Sequence, residues 1–304
     1  MRNKLAEIIN IKSKTDKKII VIVADISPAG KMSEFQKKNP KRFINVGVSE
    51  QFMIGFSAGL AISGYKPFVY TIAPFTIYRP FEMVRDDLAY QNLPVTLVGM
   101  GAGTVYSTLG GTHLAQEDIS IMRSIPNMKI LSPCDPDELQ DCVKFCLRNN
   151  SGPIYLRIGK SGEKKLINEK TEKWEFGKIR KLINGKKICI ISYGPITGKA
   201  IEISKIFQNK ISVYSCHTLK PFDKKGLKKI LKKYKYIITL EDHSLIGGIK
   251  SIVESESFSN KYKGKVFSYS LKDKFIHVYG SQDDLLKAHG INKDVIINKI
   301  KKLL

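Results

Sequence analysis

Two doubly wound α/β domains are what this sequence predicts, and three observations carry the prediction. Short apolar runs of strand length recur along the chain and alternate with helical stretches, the pattern of parallel sheets wrapped by helices. The alternation lapses over a polar, charged stretch after Gly159 and then restarts on a smaller scale. The chain's 304 residues, 42% apolar and 26% charged, supply material for two cores. The expected division is a first domain over residues 1–165, a linker over 166–185 and a second domain over 186–304.

Residues 19–26 (IIVIVADI) open with a continuous apolar run, as a parallel strand buried on both faces should. Residues 43–48 (FINVGV) read as a second strand. Residues 50–63 read as a helix rich in small residues (Gly55, Ser57, Ala58, Gly59, Ala61), which permit close backbone approach. A third strand is expected over 67–72 (PFVYTI), a helix over 81–90 and a fourth strand over 94–98 (PVTLV), leading into a glycine-rich loop over 99–111. A helix over 117–124, strand Lys129–Leu131, a helix over 137–149 and strand Ile154–Ile158 complete the first alternation. In the second half, strands are expected over 187–193, Ile211–Ser215, 236–240 and 266–269. Helices over 197–207, Lys224–Lys233 and 247–256 separate them, and two more close the chain.

Composition excludes several classes. The longest apolar run, residues 19–24, is far short of the ~20 residues that cross a bilayer. The first ten residues, with Arg2, Lys4 and Glu7, hold no apolar signal-peptide core. Cys134, Cys142, Cys146, Cys189 and Cys216 are odd in number and include no C-x-x-C pair, so buried free thiols in a reducing, cytoplasmic setting are expected. Fifty-one Lys and Arg against 28 Asp and Glu give a net charge of +23, which first suggests nucleic acid as a partner. The distribution argues otherwise. Lys224, Lys225, Lys228, Lys229, Lys232 and Lys233 alternate with Leu227, Ile230 and Leu231 as the solvated side of one amphipathic helix. With one Trp and no nucleic-acid module, neither a nucleic-acid nor a membrane partner is expected.

Two glycine motifs fail on spacing. In Gly99-Met100-Gly101-Ala102-Gly103 the third glycine comes too early for a dinucleotide fingerprint, and loop rather than helix follows it. Gly194-Pro195-Ile196-Thr197-Gly198-Lys199-Ala200 is one spacer residue short of a P-loop and ends without a hydroxyl. The informative segment is Asn45-Val46-Gly47-Val48-Ser49-Glu50-Gln51, which sets a carboxylate where a strand ends and a helix begins. That crest is where open α/β sheets bind ligands.

Downstream, in order, come A-P-F-T-I-Y-R-P-F over 73–81, G-G-T-H over 110–113, E-D-I over 117–119, R-S-I-P-N-M over 123–128 and S-P-C-D over 132–135. Glu241-Asp242-His243 and then Gly247-Gly248 follow in the second half. From about Lys17 onward this ordered set resembles the transketolase family of thiamine-diphosphate enzymes, specifically its pyrimidine-binding domain followed by its C-terminal domain. The V-S-E-Q, T-H-x-x-x-E-D-I and R-x-x-P-N segments are the most specific parts. The G-D-G sequence of the family's diphosphate-binding domain is absent from the chain.

The resemblance implies half of a split enzyme. The other half would be an N-terminal subunit that supplies the diphosphate-binding domain and holds Mg²⁺ or Ca²⁺, in an α2β2 assembly that transfers a two-carbon ketol unit from a ketose to an aldehyde. It implies that Glu50 is the carboxyl group on the aminopyrimidine N1′ of thiamine diphosphate. Phe75 takes the place of the aromatic ring against the pyrimidine, with Tyr78 and Phe81 completing the cofactor pocket. His113 matches the histidine that reaches the donor ketose, and Lys160, with Arg157 as its neighbour, falls where the substrate phosphate is held.

The chain also departs from better-known members: Leu109 stands where an aspartate contacts a sugar hydroxyl, and Gly101-Ala102 where a histidine or arginine reaches the site. A modified sugar or a different acceptor is therefore expected. The alternatives are a β-type subunit of a 2-oxoacid dehydrogenase, a deoxyxylulose-phosphate synthase-like enzyme, and a basic nucleic-acid-binding or structural paralogue without the chemistry.

Overall fold

The computed structural model describes residues 1–26, 32–167 and 171–304. Strands β1 (Ile19–Val23), β2 (Phe43–Asn45), β3 (Lys66–Ile72), β4 (Thr96–Met100), β5 (Lys129–Leu131) and β6 (Ile154–Ile158) come from the first half. The second half provides β7 (Arg180–Ile183), β8 (Ile188–Ser192), β9 (Ile211–Ser215), β10 (Thr218–Lys220), β11 (Tyr236–Ser244) and β12 (Lys265–Leu271). One sheet runs β10-β5-β6-β4-β3-β1-β2 and the other β12-β11-β8-β9-β7. The pairings are parallel except at two edges, where β10 lies antiparallel to β5 and β7 antiparallel to β9.

Alternation along β1 shows why its sequence is apolar throughout. Ile20 and Ile22 enter one core cluster, and Ile19, Val21 and Val23 enter the cluster on the opposite face. Burying each such side chain contributes about 1.5–3 kcal/mol. The cluster around Ile20 and Ile22 continues through Met53 and Ile119 into Cys189, Tyr193 and Ile237, so the two sheets share one core. The outer face of the second sheet has its own cluster around Ile190, Val213 and Leu240.

Helix starts follow local chemistry. Asp135 accepts the Glu138 N–H at 2.8 Å ahead of helix Pro136–Arg148, Asp223 accepts the Gly226 N–H at 2.8 Å ahead of Lys224–Lys233, and Ser281 and Asp284 cap Gln282–Ala288 reciprocally.

The structure departs from expectation in several places. Helix Arg2–Lys12, which buries Leu5, Ala6, Ile8 and Ile9, and helix Met32–Lys38 were not predicted; both carry lysine-rich polar faces that mask a narrow apolar stripe. The helix expected over 81–90 is a turn of α-helix, Phe81–Met83, that widens into a π-helix over Val84–Tyr90. Part of the expected linker is strand β7, whose buried Arg180 pairs with Glu138 at 3.4 Å; residues 168–170 of that stretch lie outside the described residues. All five cysteines are free and buried, and burial pushes their thiols up. Among the described residues no helix is long and apolar enough to cross a membrane.

Candidate active site

The carboxyl ends of β2, β3, β4 and β6 lie on one edge of the first sheet, and each delivers a residue singled out by the sequence. After β2, the Asn45 side chain accepts the N–H groups of Asp25 and Gly47, both at 3.0 Å, and holds the turn that leads to Glu50. Glu50 is the first residue of helix Glu50–Ile62, where partial positive charge favours an anion, and is 4% exposed. Arg79 Nη1 donates to both Glu50 carboxylate oxygens, at 3.1 and 3.2 Å, and its guanidinium lies 5.0 Å above the Phe75 ring. Phe75 sits in the short helix Ala73–Ile77 that β3 runs into, with its second residue a proline.

His113 ends a single helical turn over Gly111–His113 in the loop after β4. Its ring meets Phe75 edge-on with centroids 5.2 Å apart, and the Tyr106 ring lies 6.4 Å away. His113 Nδ1 pairs with the Thr112 hydroxyl at 2.9 Å. Lys160, exposed just after β6, places Nζ 4.8 Å over the Tyr106 ring. Glu50, Arg79, Phe75, His113, Tyr106 and Lys160 thus form one continuous row, with a carboxylate at one end and a cation at the other.

Three predicted residues stand outside that row. Tyr78 donates its hydroxyl to Glu117 at 2.9 Å and accepts the Glu117 N–H at 3.3 Å. Burial, then the carboxylates of Asp118 and Glu117, push the phenol up and keep it a donor. Phe81 is half-buried and packs onto the shared core. Arg157 is 3% exposed: Nε pairs with Asp118 at 2.6 Å, and Nη2 donates to the Asp242 carbonyl at 2.8 Å. Burial is the largest single influence and opposes its charge, but Asp118 together with the Tyr193 and Tyr155 hydroxyls outweighs it and the guanidinium is pushed up. Lys160 is therefore the free cation of the two expected at the phosphate position, and Arg157 is an interior strut.

Arg79 and Tyr106 escaped the sequence reading. Arg79 lies inside the quoted 73–81 segment, but nothing in its spacing shows that it folds back onto Glu50. Tyr106 accounts for the departure at Gly101-Ala102. Gly101 takes a positive φ (65°), and a Cβ there would run into the Tyr106 ring, so tyrosine fills the space a longer side chain would need. Leu109 is 50% exposed at the rim of the same loop.

Thiamine diphosphate is the group the resemblance implies, and the donor set fits its aminopyrimidine end. A buried carboxylate stands at a helix N-terminus, with an aromatic ring within the span of the arginine that holds it. Among the described residues no cluster of three or more His, Cys, Asp or Glu is arranged to hold a metal ion.

A family model described as the transketolase pyrimidine-binding domain matches residues 1–163, and one described as the transketolase C-terminal domain matches residues 177–296. The sequence is 33% identical to a Methanocaldococcus jannaschii protein named as a transketolase C-terminal section, across 99% of this chain and 95% of that one. It is 30% identical to one of the subunits of the apulose-4-phosphate transketolase of Actinobacillus succinogenes, across 92% of this chain and 90% of the relative. A solved split-gene transketolase, described as an inactive β4 tetramer, superposes with a TM-score of 0.88 at 31% identity, over 100% of this chain and 97% of that chain.

Proposed function

The chain belongs to the transketolase family, and from that membership we propose that it is the pyrimidine-binding and C-terminal half of a two-subunit, thiamine-diphosphate-dependent transketolase. It transfers a two-carbon ketol unit from a phosphorylated ketose to an aldehyde. The observation that carries this reading is Glu50: a carboxylate 4% exposed, at a helix N-terminus, held by an arginine that also lies over the Phe75 ring, which in turn meets His113.

When bound, the cofactor supplies a nucleophilic carbon able to add to a ketose carbonyl. This chain's residues do the holding and the proton work. Glu50 shares a proton with the aminopyrimidine N1′, and Phe75 stacks on that ring, an interaction worth about 1 kcal/mol beyond its area burial. His113, with Nδ1 occupied by Thr112, offers Nε2 to the oxygens of the donor sugar as a hydrogen-bond donor or proton carrier. Lys160 neutralises the sugar phosphate as a point charge.

The diphosphate and its Mg²⁺ fall to a partner subunit. A homologue named as one subunit of a transketolase, together with the solved split-gene transketolase, supports this division of labour. Exposed Val48 (67%) and Phe52 (59%), the latter stacked on Phe56 at 5.6 Å, supply an apolar flank beside Glu50 for that partner.

The test is ketol transfer by the reconstituted pair. Wild-type chain with partner, thiamine diphosphate and Mg²⁺ should convert a phosphorylated ketose and an aldehyde. Glu50→Gln, which keeps the shape and removes the acid, should abolish turnover with folding intact; a Glu50→Gln pair working at the wild-type rate would end the assignment.

A further inference from the structure

The tripeptide Glu241-Asp242-His243 lies on β11 with all three side chains inside the protein. Glu241 serves its own domain: it accepts the N–H groups of Ile249 at 2.7 Å and Lys250 at 3.1 Å, and the Tyr193 hydroxyl at 3.0 Å. Side chains alternate across a strand, so Asp242 faces the other way. Its carboxylate crosses to the first domain and lands on one residue, Thr104. The oxygens accept the Thr104 N–H at 3.0 and 3.1 Å and the Thr104 hydroxyl at 2.9 and 3.0 Å, with Gln282 Nε2 at 2.9 Å. His243 reaches the first domain as well: Nδ1 donates to the Ser244 carbonyl at 2.8 Å, leaving Nε2 to accept the Ser120 N–H at 3.3 Å.

Thr104 stands at the neck of the loop that carries His113. Gly103 and Ala115 close that neck with reciprocal backbone hydrogen bonds, both at 3.1 Å. Gly103 takes a positive φ (72°), and a Cβ there would collide with the Asp242 carboxylate, so the neck is built directly against it. Beyond the neck, Leu109 and Thr112 are exposed, and His113 keeps its place through ring contacts with Phe75 and Tyr106.

We propose that Asp242 is a positioning residue for His113: through Thr104, the second domain fixes the loop that presents the imidazole beside Phe75. The inference rests on the ketol-transfer reading, and it gives the second domain a task at a site to which it contributes no group in the row.

The experiment compares Asp242→Ala, Asp242→Asn and Thr104→Val, each assembled with the partner subunit and thiamine diphosphate. Displacing a reacting group by ~1 Å costs on the order of 100-fold in rate, so Asp242→Ala should lower kcat by that order. Cofactor affinity should hold, because Glu50 and Phe75 stand on helices outside that loop. Asp242→Asn, which keeps one acceptor oxygen, should recover part of the loss. The losses in the Asp242→Ala/Thr104→Val double variant should not add. Independently of activity, amide hydrogen exchange of the chain should speed up over residues 103–115 in Asp242→Ala and stay unchanged in helix Glu50–Ile62.

Unchanged kcat or unchanged exchange in the loop overturns the proposal. So does faster exchange throughout the chain with no recovery in Asp242→Asn, which would make Asp242 a determinant of folding only. A wild-type pair that transfers no ketol unit overturns the functional reading instead, and the exchange comparison then decides the clasp on its own.

Discussion

At Glu50 two partners compete for one carboxylate: Arg79, which holds it here at 3.1 Å, and the aminopyrimidine that the proposed function brings. The Arg79 side chain is 52% exposed, so the pair it would give up is worth at most about 1 kcal/mol. Arg79→Met should therefore tighten cofactor binding to the assembled enzyme by up to about fivefold, measured by titration; weaker binding would mean that the arginine supports the cofactor rather than standing in its place. Phe75→Ala should act in the opposite direction by a similar factor, since aromatic stacking is worth about 1 kcal/mol. Lys160 and Arg157 separate cleanly at this scale. Lys160→Met should raise KM for a phosphorylated ketose and leave stability alone. Arg157→Met leaves Asp118 and the Asp242 carbonyl facing a buried gap, and should cost about 3–5 kcal/mol in denaturant unfolding.

Short elements that cross between the domains set the second scale. β10 leaves the second half of the chain and joins the first sheet beside β5, and the residue before it, His217, gives its carbonyl to the Ser132 N–H at 2.8 Å. Its ring is buried, stacked 5.0 Å from Trp174, and paired through Nδ1 with the Thr218 hydroxyl at 3.0 Å. Burial first, and then the charge of Arg180, lower its pKa to about 3. A histidine depressed in the folded state binds its proton more readily when unfolded. Stability should therefore fall as pH drops below about 6.5, by up to about 1.4 kcal/mol per pH unit, until the folded state also protonates near pH 3. Trp174 is the chain's one tryptophan, so its fluorescence reports the transition directly. A His217→Phe variant should show a flatter pH profile over that window; an unchanged slope would assign the acid sensitivity to other groups.

At the scale of the whole molecule, the helix that begins at Glu50 keeps apolar side chains in solvent along its length. Helix Glu50–Ile62 packs Met53, Ile54, Ala58 and Ala61 into the core while Phe52 and Ile62 remain exposed, and Tyr90 at the end of the π-helix is 85% exposed. Apolar side chains left in solvent, with Phe52 two residues from the buried carboxylate, suit burial against a partner. Without the partner, the chain should self-associate and show no ketol transfer, with activity appearing when the diphosphate-binding subunit and Mg²⁺ are added. Light scattering follows the assembly, and Phe52→Lys should weaken both self-association and the active complex. A monomer active by itself would show that the diphosphate is held elsewhere.

Much of this architecture is written locally. Strands Lys129–Leu131, Ile154–Ile158 and Ile211–Ser215 and helix Lys224–Lys233 match their expected bounds, because short runs rich in β-branched and aromatic residues and a charged amphipathic face are local signals that need no tertiary context. Glu50 and His113 could be singled out in advance because each lies inside an ordered motif, one where a helix begins after β2 and the other in the loop after β4. The arrangement around them was not. Arg79 on Glu50, Tyr106 in the space beside Gly101, Arg157 turned inward to Asp118 and Asp242 clasping Thr104 all depend on which loops the two sheets bring face to face. Contacts between residues as far apart as Thr104 and Asp242 leave no periodic trace in sequence. The order of the elements and the chemistry at their ends are local properties of the chain and can be read along it. Which charges become buried struts, and which stay free to meet a substrate, is settled by the packing of two domains onto one core.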